Sequence, residues 1–237
     1  CVARGPGGHA SIPGKGTPLP RLGAFMCEVE NTDLFPVRLS SASAEMYRRM
    51  AALSADEGER AYLTAIAEER PGWQESLGER QKEMLGTTIA FTMAGGSQAA
   101  NVIPQEAYVI CNIRVAPGET VAGAVAALQT VADRHQVELE VLRSNEPSPV
   151  TDPRGEAFAR VERAIQAAWP GTEVLPFLLS GGTDTKHFVS LCPNCLRFTA
   201  YRISADQQVR CHAIDENIDL DTIPNGVDFF KNLIQGL

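Results

Sequence analysis

No apolar run in this 237-residue chain approaches the roughly 18–20 residues needed to cross a bilayer, so no membrane partner is expected. Lys and Arg nowhere cluster. With 21 basic against 29 acidic residues the formal charge is −8 and the pI about 5.1, which argues against a nucleic-acid partner. Aromatic residues are few, at 6%, yet 44% apolar and 21% charged residues is ordinary globular composition and excludes wholesale disorder. The opening Cys1-Val2-Ala3-Arg4 lacks both an initiator Met and a signal-peptide apolar region, from which we expect a piece of a longer chain. Six cysteines are too sparse for a disulfide framework, and with the acidic balance they point to the cytoplasm. Cys27 and Cys111 sit in apolar stretches and are expected as buried thiols. Cys192-Pro193-Asn194-Cys195 has the spacing of redox sites and of half a zinc ribbon, but no second such pair completes a ribbon. Structural thiols or a local disulfide is the simpler reading of that pair, and a thiol–disulfide protein its rival.

The length fits one large domain or two small ones. Over residues 1–147 the apolar spacing predicts a strand opening into a glycine turn at Cys1–Ser11 and a helix from Thr17 to Glu30 on Leu19, Leu22, Phe25, Met26 and Val29. Strands follow at Thr88–Ala94 and Ala107–Val115. Thr120 then caps a helix over Val121–Arg134 with a Val121, Val125, Leu128, Ala132 stripe, and Val137–Arg143 alternates as a last strand. The order β-α-β-β-α-β is the ferredoxin-like arrangement, an α+β domain. Residues 31–86 read as a helical insertion of two or three helices beside the sheet, with Ser54 and Glu57 as a capping box. The linker Asn145–Pro149 opens a second domain, 148–237, of α/β pattern. It has a helix on Phe158, Val161, Ile165 and Trp169, strands at Val174–Leu179 and Leu196–Arg202, and a final helix, Val227–Leu237, with Phe230, Leu233 and Ile234 inward. A parallel sheet needs both faces covered, and this half has too few elements to do so.

Five places could carry chemistry. His9 stands in the glycine turn Gly7-Gly8-His9-Ala10-Ser11, where positive φ leaves an imidazole accessible; alone it reads as an exposed loop histidine. Asn101-Val102-Ile103-Pro104 and Arg114, on a strand with Asn112, can offer an amide to a carbonyl and a guanidinium to a carboxylate, or be plain surface. Ser180-Gly181-Gly182-Thr183-Asp184 presents backbone N–H groups and a hydroxyl, but lacks the lysine of a phosphate loop, and is equally a structural turn; His187 nearby reads as packed or capping. His212, followed by Asp215 and Glu216, could be a metal ligand with a carboxylate behind it, or a structural histidine. Glu68-Glu69 on a helix point about 100° apart and read as a solvated face.

Together and in this order, Gly8-His9-Ala10-Ser11, Asn101-Val102-Ile103-Pro104, Ile113-Arg114-Val115 with Pro117-Gly118, Ser180–Asp184 and His212 with Asp215-Glu216 resemble the dinuclear zinc amidohydrolases. That family includes succinyl-diaminopimelate desuccinylase, acetylornithine deacetylase, aminoacylase and glutamate carboxypeptidase, and the helical insertion is most similar to the carboxypeptidase S branch. The resemblance implies a ferredoxin-like lid, often dimerising, set into an α/β zinc-peptidase catalytic domain. This chain would hold the lid and the C-terminal part of that domain. It further implies that His9 reaches an active site, commonly the partner subunit's, and stabilises an oxyanion. Asn101 and Arg114 would hold the substrate's carbonyl and carboxylate, Gly182 and Thr183 would contact substrate, and His212 would be the last zinc ligand. On this resemblance the imidazole of His9, the amide of Asn101 and the guanidinium of Arg114 are expected to converge near His212. The implied reaction is hydrolysis of an amide or peptide bond in an N-acyl amino acid or small peptide with a free carboxylate, by a homodimer holding two zinc ions.

The family's other ligands, a His-x-Asp pair and a Glu-Glu pair among them, precede the lid. None of His9, His135, His187 or His212 is followed two residues later by Asp, and Glu68-Glu69 falls after the lid histidine. One histidine cannot hold zinc, so this chain alone is expected to bind none and to be inactive. The alternative is a non-catalytic ferredoxin-like dimerisation module.

Overall fold

A computed structural model describes residues 1–179 and 182–236. In chain order the helices are α1 (Pro18–Glu30), α2 (Ser41–Leu53), α3 (Glu57–Ala67), α4 (Glu79–Leu85), α5 (Val121–Arg134), α6 (Glu156–Ala168), α7 (Ala205–Val209) and α8 (Ile223–Gln235). The strands are β1 (Val2–Arg4), β2 (Gly8–His9), β3 (Thr88–Gly95), β4 (Val102–Ile103) and β5 (Glu106–Arg114). They form two compact units, Cys1–Arg38 with Gln74–Ser148, and Leu39–Trp73 with Pro149–Leu237. No helix among the described residues is long and apolar enough to cross a membrane.

In the first unit β1, β5 and β3 make an antiparallel sheet in that order. Glu138 lies on the other edge of β1, where it and Val2 exchange backbone hydrogen bonds of 2.8 Å. The spatial order of the four is therefore fourth, first, third, second, as the β-α-β-β-α-β reading requires. The predicted strand Val137–Arg143 shrinks to that single bridge. β1 is only three residues long and offers no further partner, so Val141 and Leu142 are left exposed. Helices α1 and α5 supply Leu22, Phe25, Val29, Leu128, Val131 and Ala132 to a core shared with Ala3, Ala107 and Val109. Leu19, expected on the α1 stripe, is half exposed, because Pro18 takes the inward place in the first turn. On α5 the Thr120 hydroxyl accepts from the Gly123 N–H at 3.0 Å, the cap the sequence predicts. Its buried stripe is Ala124, Leu128, Val131 and Ala132, rotated so that Val121 and Val125 sit at the margin. A bulge between Phe91 and Met93 turns Phe91 toward the core, edge-on to Phe25 at 6.1 Å, and leaves Met93 exposed. Of the thiols expected to be buried, Cys27 is exposed, lying off the α1 stripe; Cys111 is half-buried, and burial pushes its pKa up.

The second unit is helical among its described residues. Phe158, Ala164, Ile165, Ala168, Val174, Ala200 and Phe229 form its core. The predicted strands Val174–Leu179 and Leu196–Arg202 are not strands here, since neither finds a ladder partner among the described residues. The first still alternates: Val174 and Pro176 are buried, while Leu175, Phe177 and Leu179 face out. The final helix starts earlier than predicted and turns Gly226 and Phe229 inward, leaving Phe230 and Ile234 exposed; Leu237 lies outside the described residues. Gly226 passes so close to the Ala200 carbonyl that no Cβ fits. Of the expected insertion, α2 and α3 pack with this second unit, whereas α4 stays in the first. The α3 cap is Asp56, which accepts from the Glu59 N–H at 2.6 Å, and the Ser54 hydroxyl instead meets the Glu59 carboxylate at 2.5 Å.

Arg49 explains where α2 belongs. Its guanidinium donates to Glu45 at 3.0 Å, to Glu162 on α6 at 2.5 Å and to the Val174 carbonyl at 2.8 Å, and it lies over the Phe158 ring at 5.4 Å. Removing it strands a half-buried carboxylate and a carbonyl. Arg49→Met is therefore expected to cost about 2–3 kcal/mol. Urea unfolding followed by tryptophan fluorescence reads this, because Trp73 and Trp169 both lie in the second unit. Burial pushes the Glu45 carboxyl up, but hydrogen bonds from Arg49 and Arg48 outweigh it and hold it below the usual range. That contribution is present above the ordinary carboxylate pKa and disappears as pH falls through the depressed one, so the gap between wild type and variant should narrow in acid. A pH-independent gap, or one under about 0.5 kcal/mol, would remove this account.

Candidate active site

In the first unit the His9 turn and the Asn101 loop are brought together by a two-residue ribbon. β2 pairs with β4, Gly8 opposite Ile103 and His9 opposite Val102, and the Ala10 N–H donates to the Asn101 carbonyl at 2.9 Å. Two motifs far apart in the chain thus meet side by side. Gly7 is required there: its φ is +69°, and a Cβ would lie 2.7 Å from Gln105. The His9 ring is exposed. Its Nδ1 accepts from the Ser11 backbone N–H at 3.2 Å, with the Ser11 hydroxyl 2.7 Å away. A backbone N–H can only donate, so Nδ1 carries the lone pair and the neutral ring's proton sits on Nε2. His9 therefore offers an N–H donor at its outer edge.

Arg114 does not join this pair within the unit. It is the last residue of β5, opposite Thr88, whereas the ribbon leads into the first residue of β5. At about 3.4 Å per residue the strand separates them by roughly 27 Å. Arg114 and Asn112 are both exposed on this strand. Within one first unit, then, the length of β5 lies between the ribbon that carries His9 and Asn101 and the residue Arg114.

In the second unit Ser180 and Gly181 fall outside the described residues. Gly182 is exposed, and a Cβ there would meet nothing, so its backbone is open without any packing need for glycine. Thr183 precedes a 3-10 turn, Asp184–His187. Its hydroxyl lies 2.6 Å from that of Thr185, and Arg197 Nε donates to both, at 3.1 and 3.0 Å. His187 ends the turn, exposed. His212 and Asp215 both have φ +63°, a left-handed conformation that costs non-glycine residues on the order of 1 kcal/mol or more. The His212 N–H donates to the Glu216 carboxylate at 3.1 Å, which closes this strained loop. Glu68 and Glu69 are exposed, Glu68 paired with Arg70 at 2.7 Å. Cys192 and Cys195 are free thiols, each donating to a nearby carbonyl. Among the described residues no group of three or more His, Cys, Asp or Glu could hold a metal ion, so the residues present do not make a zinc site. Nothing in the sequence spacing marks the contacts of the Ser11 N–H, Thr185 and Arg197, because each is made only on folding.

A ferredoxin-like α+β domain that sets a glycine-held histidine against an asparagine loop defines the class of the first unit. The Peptidase dimerisation domain family, M20_dimer, matches residues 1–140, more than half of the chain, and the chain belongs to it. It is 30% identical over 150 residues to the Probable carboxypeptidase S-like 2 of Dictyostelium discoideum, covering 63% of this chain and 29% of that protein. It is 26% identical over 238 residues to the N-fatty-acyl-amino acid synthase/hydrolase PM20D1 of Homo sapiens, covering 96% of this chain and 46% of the relative. The chain thus spans less than half the length of these curated relatives. In fold it is similar to the M20 family metallo-carboxypeptidase Sso-CP2 from Sulfolobus solfataricus, with a TM-score of 0.60 at 15% identity, over 99% of this chain and 56% of that one. It is also similar in fold to the di-peptidase Dug1p from Saccharomyces cerevisiae, with a TM-score of 0.55 at 16% identity, over 99% and 52%.

Proposed function

We propose that this chain is the lid and the C-terminal part of the catalytic domain of a metal-dependent amidohydrolase. It acts as a homodimer on N-acyl amino acids or small peptides with a free carboxylate. The observation that carries this reading is the ribbon that seats His9 against Asn101 with Nδ1 accepting from the Ser11 N–H, which leaves Nε2 to serve as the outward donor. A donor fixed in that way suits the oxyanion of a tetrahedral intermediate. Asn101 holds the scissile carbonyl, Arg114 the substrate carboxylate, and Gly182 and Thr183 the rest of the substrate. His212 is one metal ligand, the others lying outside this chain. The length of β5 between the ribbon and Arg114 supports the dimer: each active site takes His9 and Asn101 from one lid and Arg114 from the other.

The test is hydrolysis of a panel of N-acetyl amino acids and dipeptides by the complete protein supplied with zinc, read as released amine. Turnover is expected, and Arg114→Gln should raise KM roughly ten- to a hundredfold, the loss of a paired guanidinium. The isolated 237-residue chain with zinc should be inactive. Turnover by that chain, or an Arg114 substitution without effect, as a non-catalytic dimerisation module would give, overturns the reading.

A further inference from the structure

We infer that Arg197 is a positioning residue for Thr183, holding that hydroxyl ready to donate to a substrate oxygen. The inference rests on the proposed function for the presence of substrate at Thr183, but the cluster itself is independent of it. An arginine side chain can only donate, so the oxygens of Thr183 and Thr185, 3.1 and 3.0 Å from Arg197 Nε, both accept from it. The two hydroxyls are 2.6 Å apart and share one O–H between them. The second O–H has no partner among the described residues. Either hydroxyl can supply the shared O–H; we assign it to Thr185, which leaves the Thr183 O–H as the donor the cluster presents, with a cation behind it that strengthens it.

A free threonine side chain samples staggered rotamers. The bond from Arg197, anchored on the segment after the turn, selects one. The acceptor that fits this donor is a carbonyl or carboxylate oxygen, the groups an N-acyl amino acid carries on either side of its amide. Arg197 touches the threonines and not the reacting atoms, so its effect should pass through Thr183.

A double-mutant cycle on the complete, zinc-supplied protein tests this. Arg197→Gln should lower kcat/KM about tenfold, the size of one charge-assisted hydrogen bond, as should Thr183→Val. The double variant should lose no more than either single one. Thr185→Ser, which keeps the hydroxyl, should recover most of what Thr185→Val loses. A second full loss from Arg197→Gln in the Thr183→Val background overturns the inference. A readout without turnover runs beside it: the Thr183 methyl group, followed by NMR of threonine-labelled protein, should report one rotamer in the wild type and averaging in Arg197→Gln. An unchanged methyl signal overturns the inference as well. A wild type that hydrolyses nothing but shows the rotamer change sinks the proposed function and leaves the role of Arg197 standing.

Discussion

His9→Ala in the complete, metal-supplied protein is expected to lower kcat by about 10²–10³ while KM moves within about threefold. The asymmetry follows from where the proton sits. Nδ1 is taken as an acceptor by the Ser11 N–H, so Nε2 is left as the donor, and it has no partner among the described residues. A donor of that kind gains most when a carbonyl oxygen becomes an oxyanion, and it binds ground-state substrate weakly. Ser11→Ala removes the hydroxyl at 2.7 Å but keeps the backbone N–H, so the tautomer survives and the loss should stay within about tenfold. A raised KM at unchanged kcat would make His9 a ground-state contact, and no change at all would return it to a surface loop.

The same variant tests the proposed sharing of the site between subunits. Homodimers of His9→Ala and of Arg114→Gln are each expected to be impaired. Mixed dimers hold one active site with both residues intact if His9 and Arg114 come from different lids. Random mixing should then restore about a quarter of wild-type activity, since about half the dimers are mixed and each has one good site of two. Steady-state rates after denaturation and refolding of the two together decide it. No recovery above the separate homodimers places all groups in one chain.

The helix Val121–Arg134 and its Thr120 cap could be read in the sequence because helix limits are set by local hydrogen bonds and side-chain periodicity. The β-α-β-β-α-β order was legible for the same reason, since each element carries its own period. What failed is what one segment cannot encode alone. Val174–Leu179 and Leu196–Arg202 have strand composition, but a strand exists only against a partner, and none lies among the described residues. The amphipathic pattern of α2 marks a face without naming what covers it; the Arg49 bonds to Glu162 and Val174 do that. At the site, the motifs around His9 and Asn101 were visible, but a ribbon of two residues per strand is too short to show a period. The separation of Arg114 from them follows from the length of β5 once the register is known.

Phe25→Ala should be the most damaging single change to the first unit, at about 3–5 kcal/mol. The side chain is fully buried and meets the Phe91 ring edge-on, at 71° between planes. Its neighbours Leu22, Val109, Val131 and Ala132 come from two helices and the central strand, none free to close the void alone. Phe25→Leu keeps most of the volume and loses the ring pair, so it should cost on the order of 1–1.5 kcal/mol. Both tryptophans lie in the second unit, so fluorescence does not report this core. Amide exchange in β5 does, and protection at Ala107 and Val109 should fall by about 10²–10⁴ in Phe25→Ala. β5 carries Arg114 at one end and meets the His9 ribbon at the other, so its register couples this core to both halves of the proposed site. A change under about 1 kcal/mol would mean that the sheet is held by its hydrogen bonds and not by the α1 face, and that the two ends of β5 are positioned independently of that core.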